Sequence, residues 1–149
     1  MNREDVRPKP VHLREEELMR RLPEQIGRVT LNYKHYPGKD LYSDGEIEDE
    51  ILSIVKNASK VEYASIIEER KSWPILYHLS PLRGNIVDWL PIGPNDKVLE
   101  IGSGCGVITD KLSQKAGKVT CVDLSAKRSH INAYRNQDRD NIEIHVGNF

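Results

Sequence analysis

Three glycines at alternate positions constrain the fold of this chain more than any other feature. Gly102, Gly104 and Gly106 follow the apolar run KVLEI and precede VITDKLSQKAG, whose pattern predicts a short helix closed by Gly117. Glycine reaches backbone angles that other residues avoid, and without Cβ it lets a ligand lie against the main chain. The following helix would point free N–H groups and its positive dipole end at the same place. The sequence therefore predicts a strand–loop–helix unit that binds a small ligand.

Two further apolar runs extend this unit. KVTCVD and IEIHVGN predict a second and a third strand, and AKRSHINAYRNQ between them predicts a helix with Ile131 and Tyr134 at helical spacing. Alternation of strand and helix implies parallel strands joined by right-handed crossovers. The expected fold class is therefore α/β, with a Rossmann-like parallel sheet that binds its ligand beyond the carboxyl ends of the strands.

Two acidic residues narrow the class of ligand. Asp123 ends the second strand, 21 residues after Gly102, where a carboxylate can reach both hydroxyls of a ribose. Glu100 stands two residues before the first glycine, where it would repel a pyrophosphate and attract an ammonium or a sulfonium. Val107 also occupies the place of the third glycine in the dinucleotide fingerprint. We therefore expect a nucleoside that carries positive charge.

Simpler structural roles remain open for the same residues. Gly104 and Gly106 would also suit a tight turn from strand to helix. Asp123 would also suit the cap of the next helix, although Ser125 can supply that cap. The two cysteines have no zinc spacing; Cys121 is expected to fill the core, as is common for a free thiol.

Three stretches together resemble a known family. VLEIGSGCGVIT resembles the first motif of class I S-adenosylmethionine-dependent methyltransferases, VTCVDLS resembles their acidic second motif, and IEIHVGN resembles their third strand with the Gly-Asp that follows it. The resemblance covers residues 97–149 well and the helix at 80–90 loosely. It implies S-adenosylmethionine as the cofactor and methyl transfer to an acceptor oxygen, nitrogen or carbon that the sequence does not identify.

The resemblance implies a role for eight residues. Glu100 would orient the methionine ammonium, Asp123 would hold the ribose hydroxyls, and Leu124 would pack on the adenine. Asn148 stands where the family has Asp, and its amide oxygen can still accept from the adenine amino group. The methionine moiety and ribose would be lined by Gly102, Ser103, Gly104 and Gly106. Tyr77, Ser80 and Arg83 would either cover the methionine carboxylate or form a solvated helix start.

The same resemblance accounts for only the first three strands of a seven-stranded sheet. The chain is therefore expected to be a truncated cofactor-binding fragment, inactive alone, with residues 97–101 as an uncovered edge through which copies associate. Three alternative functions stay open: an NAD-dependent oxidoreductase, an aminopropyltransferase, and a non-catalytic module that binds S-adenosylmethionine or another nucleoside.

The N-terminal half shows no such resemblance. We divide the chain into an N-terminal arm and helical region at 1–73 and a partial Rossmann-like domain at 74–149. Residues 1–40 predict an extended arm with one short helix containing Leu13, Leu18, Met19 and Leu22, and Ile47, Ile51, Ile54, Val55 and Ala58 predict a longer helix.

The middle of the chain contains three signals for the start of a helix. Ser43 with Glu46 and Ser59 with Glu62 have the spacing of capping boxes. Ser80 before Pro81 predicts another helix start, with an apolar stripe of Leu82, Ile86 and Leu90.

Composition limits location and partners. The formal net charge of −1 gives no electrostatic reason to expect nucleic acid, and no apolar run approaches the roughly 20 residues that span a bilayer. The N-terminus lacks the apolar core of a secretory signal. We expect a cytoplasmic protein with no membrane contact. The acidic stretch 40–50 is expected to be a solvated helix start, because it fails as a calcium loop with Ile51 at the position that needs a bidentate Glu.

Overall fold

The computed structural model of the protein describes residues 21–148. Its strands are β1 (Gln25–Ile26), β2 (Val29–His35), β3 (Lys97–Ile101), β4 (Lys118–Asp123) and β5 (Ile142–Gly147). Its α-helices are α1 (Glu46–Asn57), α2 (Tyr63–Arg70), α3 (Trp73–Leu79), α4 (Asn85–Asp88), α5 (Val107–Lys115) and α6 (Ala126–Arg135). Short 3-10 helices at Lys60–Glu62 and Pro81–Gly84 lead into α2 and α4. The short helix predicted within residues 13–22 falls mostly outside the described residues.

The five described strands form one sheet in the order β1-β2-β5-β4-β3. β3 pairs with β4, and β4 with β5, in parallel, so that Glu100 lies beside Cys121 and Cys121 beside Ile144. The helices α5 and α6 make the two crossovers that parallel pairing requires. The α/β class, the three predicted strands and their parallel order are confirmed.

The N-terminal segment adds two strands that the sequence analysis missed. β2 pairs in parallel with β5, with Leu31 beside Ile144, and β1 pairs antiparallel with β2. Val29 and Leu31 are buried while Thr30 between them is exposed, which is the alternation of a strand with one face on the core. The stretch predicted as an arm therefore extends the sheet, and the division of the chain at residue 73 stays a prediction.

Two apolar clusters hold the elements together. The first lies between the sheet and the crossover helices, and includes Val119, Ile144 and Ala133. The second joins α1, α2, α3 and α6 through Ile51, Tyr63, Ile75, Leu79 and Ile131. The N-terminal helices therefore pack on the sheet indirectly, through α6.

Two of the three predicted helix starts are confirmed, and one is wrong. Ser59 and Glu62 form a capping box, and the Ser80 hydroxyl accepts from the Leu82 N–H, as expected. The box predicted for Ser43 and Glu46 is wrong, because α1 begins after Gly45 and the Ser43 hydroxyl instead donates to Glu48 at 2.9 Å.

An apolar edge is exposed beside the glycine loop. β3 is the last strand of the described sheet, and Leu99 and Ile101 are 62% and 58% exposed. The apolar stripe predicted on the preceding helix does not face the core: Leu82 and Ile86 are exposed and Leu90 is half-buried, while Gly84 and Val87 turn inward. Periodicity located the apolar residues but not the side of the helix that is covered. The edge strand agrees with the expectation for 97–101, and association through it stays a prediction.

Replacing Leu99 by Lys is expected to reduce self-association of the chain, because a charge on an edge strand opposes pairing with another strand. Sedimentation velocity over a concentration series measures the effect. Val61→Lys is the matched control, since Val61 is 88% exposed on the Lys60–Glu62 turn. Equal sedimentation of both variants and the unmodified chain would contradict the prediction.

Candidate functional site

The loop between β3 and α5 has the backbone that its glycines predicted. Gly102, Gly104 and Gly106 have φ of 73°, 54° and 83°, in the region that side chains rarely adopt. A Cβ at Gly102 or Gly104 would stand in open space, so the main chain there is bare. At Gly106 a Cβ would collide with Asn132, so this glycine also allows α6 to pack closely. The loop combines an open surface with a tight base.

The Asp123 carboxylate joins the end of β4 to this loop. Its Oδ2 accepts from the Gly104 N–H at 2.7 Å, and its Oδ1 accepts from the Ser125 N–H at 2.9 Å. The Ser125 hydroxyl caps α6 by accepting from the Arg128 N–H at 3.1 Å. Of the alternatives for Asp123, helix capping therefore falls to Ser125, and Asp123 shapes the loop.

Glu100 lies beneath the loop and is largely buried. Its Oε2 accepts from the Thr109 hydroxyl at 2.6 Å and from the Cys121 thiol at 3.6 Å. Burial raises the pKa of Glu100, the nearby charge of Asp123 acts in the same direction, and the two hydrogen bonds oppose the rise. An acid held in this way gains from a cation beside it.

Two pockets meet at the loop. One, of about 280 Å³, is lined by Ile101, Val122, Leu124 and Asp123, and by Tyr42 from the N-terminal segment. The other, of about 180 Å³, is lined by Glu100, the residues of the glycine loop and three side chains from upstream, which are Tyr77, His78 and Arg83. Gly102 and Arg128 line both pockets. The site therefore has a mainly apolar end and a polar end on either side of the glycines.

Seven of the eight predicted site residues line one of these pockets. They are Glu100, Gly102, Ser103, Gly104, Gly106, Asp123 and Leu124. Asn148 is exposed and follows Gly147, which lines the apolar pocket, but Asn148 itself is not among the lining residues. Of the upstream candidates, Tyr77 and Arg83 line the polar pocket, whereas Ser80 is a buried cap. The role of each residue toward a ligand stays a prediction.

Sequence reasoning missed Arg128, which sits between the pockets. Its guanidinium donates through Nε to Glu48 at 2.6 Å and through Nη2 to Asp44 at 2.7 Å. The Tyr42 ring lies 5.5 Å from the same guanidinium. The sequence does contain one signal for Arg128: its spacing from Ile131 and Arg135 places all three residues on one face of α6.

The acidic stretch 40–50 is not merely solvated. Glu48 is completely buried against Arg128. Asp40 accepts from the Ala126 and Lys127 N–H groups at 2.6 and 3.1 Å and from the Ser125 hydroxyl at 2.8 Å. Burial alone would raise the pKa of Asp40, but these hydrogen bonds outweigh burial and lower it. The acids therefore anchor the N-terminal segment to α6, and no cluster that could hold a metal ion occurs within residues 21–148.

The two thiols are structural, as expected for Cys121. Both cysteines are buried, and burial raises the pKa of each to about 12. A thiol that stays protonated at neutral pH is a poor nucleophile.

The part of the chain that forms this site is similar to known proteins. The family model for protein-L-isoaspartate(D-aspartate) O-methyltransferase matches residues 78–148, which contain the glycine loop and both acids. A probable ribosomal RNA small subunit methyltransferase A of Methanococcoides burtonii is 40% identical over 63 residues, 42% of this chain and 23% of that protein. An rRNA adenine N-6-methyltransferase of Bacillus licheniformis is 41% identical over 69 residues, 46% of this chain and 24% of that protein. These matches support the resemblance of residues 78–148 to class I S-adenosylmethionine-dependent methyltransferases.

The chain spans about a quarter of the length of the curated relatives it matches. Among solved structures, a phosphoethanolamine N-methyltransferase of Haemonchus contortus with bound S-adenosylhomocysteine is 21% identical, covers 72% of this chain and 24% of that one, and has a TM-score of 0.45. The family model and the curated relatives do not favour an NAD-dependent oxidoreductase. The names of the two curated relatives state ribosomal RNA as substrate, which runs against the expectation that nucleic acid is an improbable partner. No helix within residues 21–148 is long and apolar enough to cross a membrane.

Replacing Glu100 by Gln is expected to stabilise the chain at neutral pH. The pKa of Glu100 is raised on folding, so its contribution to stability is complete below the pKa in the unfolded chain and is lost as pH rises through the folded pKa. The variant should therefore gain stability over the unmodified chain as pH rises. Thermal unfolding from pH 4 to pH 8 measures this difference.

Glu143→Gln is the matched control of opposite sign. A hydrogen bond from Lys118 lowers the pKa of Glu143, so its contribution is present above the unfolded pKa and is lost as pH falls. This variant should lose stability toward neutral pH. A Glu100→Gln chain that behaves like Glu143→Gln would contradict the assignment.

Proposed function

We propose that the chain binds S-adenosylmethionine around its glycine loop and forms the cofactor-binding part of an enzyme that transfers the methyl group to an acceptor. One observation carries the proposal: the Asp123 carboxylate bonds to the Gly104 N–H at 2.7 Å, between an apolar and a polar pocket. The bare main chain at Gly102 and the two acids fit a ligand that is a nucleoside at one end and a cation at the other.

Adenosine belongs in the apolar pocket. Each Asp123 oxygen already accepts one backbone hydrogen bond and keeps a lone pair for a ribose hydroxyl. Leu124 offers an apolar wall to the adenine, and the Tyr42 ring offers a second face from the N-terminal segment. Asn148, beside this pocket, would accept from the adenine amino group.

The methionine end belongs in the polar pocket. Glu100 would accept from the ammonium, whose charge offsets the burial that raises the pKa of Glu100. Arg83, which stacks 3.8 Å from the Tyr77 ring centroid, would pair with the carboxylate. The bound cofactor supplies a methyl group on a positive sulfur, and the residues named here align it for in-line attack, an effect that can contribute roughly 7–11 kcal/mol to such a reaction.

The acceptor is open in this proposal. The relatives named for ribosomal RNA match over 63 and 69 residues, a length that suffices for cofactor binding and leaves acceptor selection elsewhere. Ribosomal RNA is nonetheless the first acceptor to test, with tritiated S-adenosylmethionine and the enzyme to which the chain belongs. A cytoplasmic location is part of the proposal, because reduced cysteines such as Cys105 and Cys121 persist there.

Isothermal titration with S-adenosylhomocysteine is expected to give saturable binding, and titration with NAD none. Asp123→Ala should weaken S-adenosylhomocysteine binding about tenfold or more, because it removes charge-assisted hydrogen bonds to loop and ligand. Asp140→Ala, at a side chain 80% exposed, is the control. Binding of NAD alone would overturn the proposal, and binding without methyl transfer to any acceptor would favour the non-catalytic module.

Tyr42→Ala is expected to weaken S-adenosylhomocysteine and adenosine alike by about tenfold, the effect of losing one base–aromatic stacking contact. Tyr42→Phe keeps the ring and should bind as the unmodified chain does. The same titrations measure both variants. A loss with Phe equal to that with Ala would assign the effect to the hydroxyl and contradict stacking.

A further inference from the structure

A chain of buried polar side chains runs from the N-terminal region to Glu100. Lys60 Nζ donates to Asn136 Oδ1 at 3.1 Å, and Asn136 Nδ2 donates to Asn132 Oδ1 at 2.9 Å. Asn132 Nδ2 donates to Thr109 Oγ1 at 2.9 Å, and Thr109 Oγ1 donates to Glu100 Oε2 at 2.6 Å. The three middle members are fully buried. Four consecutive hydrogen bonds therefore link a part-exposed ammonium to the acid under the glycine loop.

The direction of every bond in this chain follows from its ends. An ammonium only donates, so Lys60 fixes the amide of Asn136 with its oxygen toward the ammonium. The Asn136 nitrogen must then face Asn132, and the Asn132 nitrogen must face Thr109. A hydroxyl has one hydrogen, which is left for Glu100, and an ionised carboxylate only accepts. The chain is consistent only when its last acceptor is Glu100.

The same residues hold the base of the glycine loop. Asn136 Nδ2 also donates to the Gly106 carbonyl at 3.3 Å. Asn132 fills the space where a side chain at Gly106 would lie. The buried amides thus fix the loop and orient the acid together.

We propose that Lys60, Asn136, Asn132 and Thr109 are positioning residues that hold Glu100 as an oriented carboxylate for the methionine ammonium. The part of this inference that concerns the ligand rests on the proposed function. It makes the N-terminal region, through Lys60, a determinant of cofactor affinity. None of the four touches the reacting atoms, so none is a catalytic residue.

Several other groups act on Glu100. Asp123 and the Cys121 thiol face it from β4, and Arg128, His78 and Arg83 line the same pocket. Burial and the Asp123 charge favour the protonated acid, and the Thr109 hydrogen bond is the largest effect that opposes them. Loss of the Thr109 hydroxyl should therefore raise the pKa of Glu100 more than loss of any other hydrogen bond in the series.

Loss of Lys60 should affect Glu100 from the opposite end of the hydrogen-bond series. Lys60 also pairs with Asp110 at 2.8 Å. Asp110 Oδ1 and Asn136 Oδ1 both accept from this ammonium, so its loss leaves two oxygens without the donor between them and favours a turn of the Asn136 amide that brings its nitrogen toward Asp110. Each later bond would then reverse, and Thr109 would donate to Asn132 and not to Glu100.

Nuclear magnetic resonance titration of the Glu100 side-chain carboxyl in the ligand-free protein tests this series of hydrogen bonds directly. The pKa of Glu100 should rise in Thr109→Val and in Lys60→Met, and return toward the original value in Thr109→Ser and Lys60→Arg, which keep a donor. Lys60 is part-exposed, so its variants report even if a buried substitution prevents folding. An unchanged pKa in Lys60→Met overturns the proposal.

Titration with two ligands tests the role toward the cofactor. Thr109→Val and Lys60→Met should weaken S-adenosylhomocysteine about three- to tenfold at pH 7, as expected for the net contribution of one hydrogen bond. Both variants should bind 5′-methylthioadenosine, which lacks the amino-acid chain, as the unmodified protein does. Equal losses for both ligands would mean a general structural defect and overturn the inference. Failure of the unmodified chain to bind either ligand would instead refute the proposed function, while the ligand-free titration would still decide the chain of bonds.

Discussion

The hydrogen bond from the Gly104 N–H to the Asp123 carboxylate is the contact on which the site depends. It connects the ends of two neighbouring parallel strands across the groove between them. The second oxygen of the same carboxylate accepts from the Ser125 N–H, just before α6 begins. One side chain therefore fixes the curvature of the glycine loop, the start of a helix and the position of an acid. A pocket fixed in this way needs little rearrangement when a ligand binds.

The N-terminal region holds α6 at both of its ends. Asp40 accepts from the first N–H groups of α6, Glu48 binds Arg128 in the first turn, and Lys60 binds Asn136 just past the end of the helix. A helix held at its start and its end by one region cannot shift without moving that region. Since α6 also carries Asn132 against the loop, packing in the N-terminal helices is transmitted to the bare backbone that faces the ligand.

Local signals explain which parts of the fold the sequence predicted. The order β3-α5-β4-α6-β5 was predictable because each strand is a short apolar run and each helix is bounded by glycine or by a cap such as Ser125. β2 was missed because its partner lies more than a hundred residues away, with Leu31 beside Ile144, and strand propensity depends on such partners. The inverted stripe at Leu82 has a related cause, since amphipathicity gives a helix two faces and only the tertiary structure decides which one is covered. Arg128 and Tyr42 escaped prediction because they meet only when distant segments pack.

Charge is the physical reason to prefer a cationic nucleoside over a dinucleotide. Glu100 and Asp123 lie near one loop, and the charge of Asp123 raises the cost of ionising Glu100 in a partly buried site. Fixed donors compensate each acid separately, the Gly104 and Ser125 N–H groups for Asp123 and the Thr109 hydroxyl for Glu100. Arg128 does not neutralise them, because Glu48 and Asp44 already engage its guanidinium. The negative charge of Glu100 and Asp123 therefore remains available to a ligand at the loop. This charge disfavours a pyrophosphate and favours an ammonium and a sulfonium carried on one adenosine.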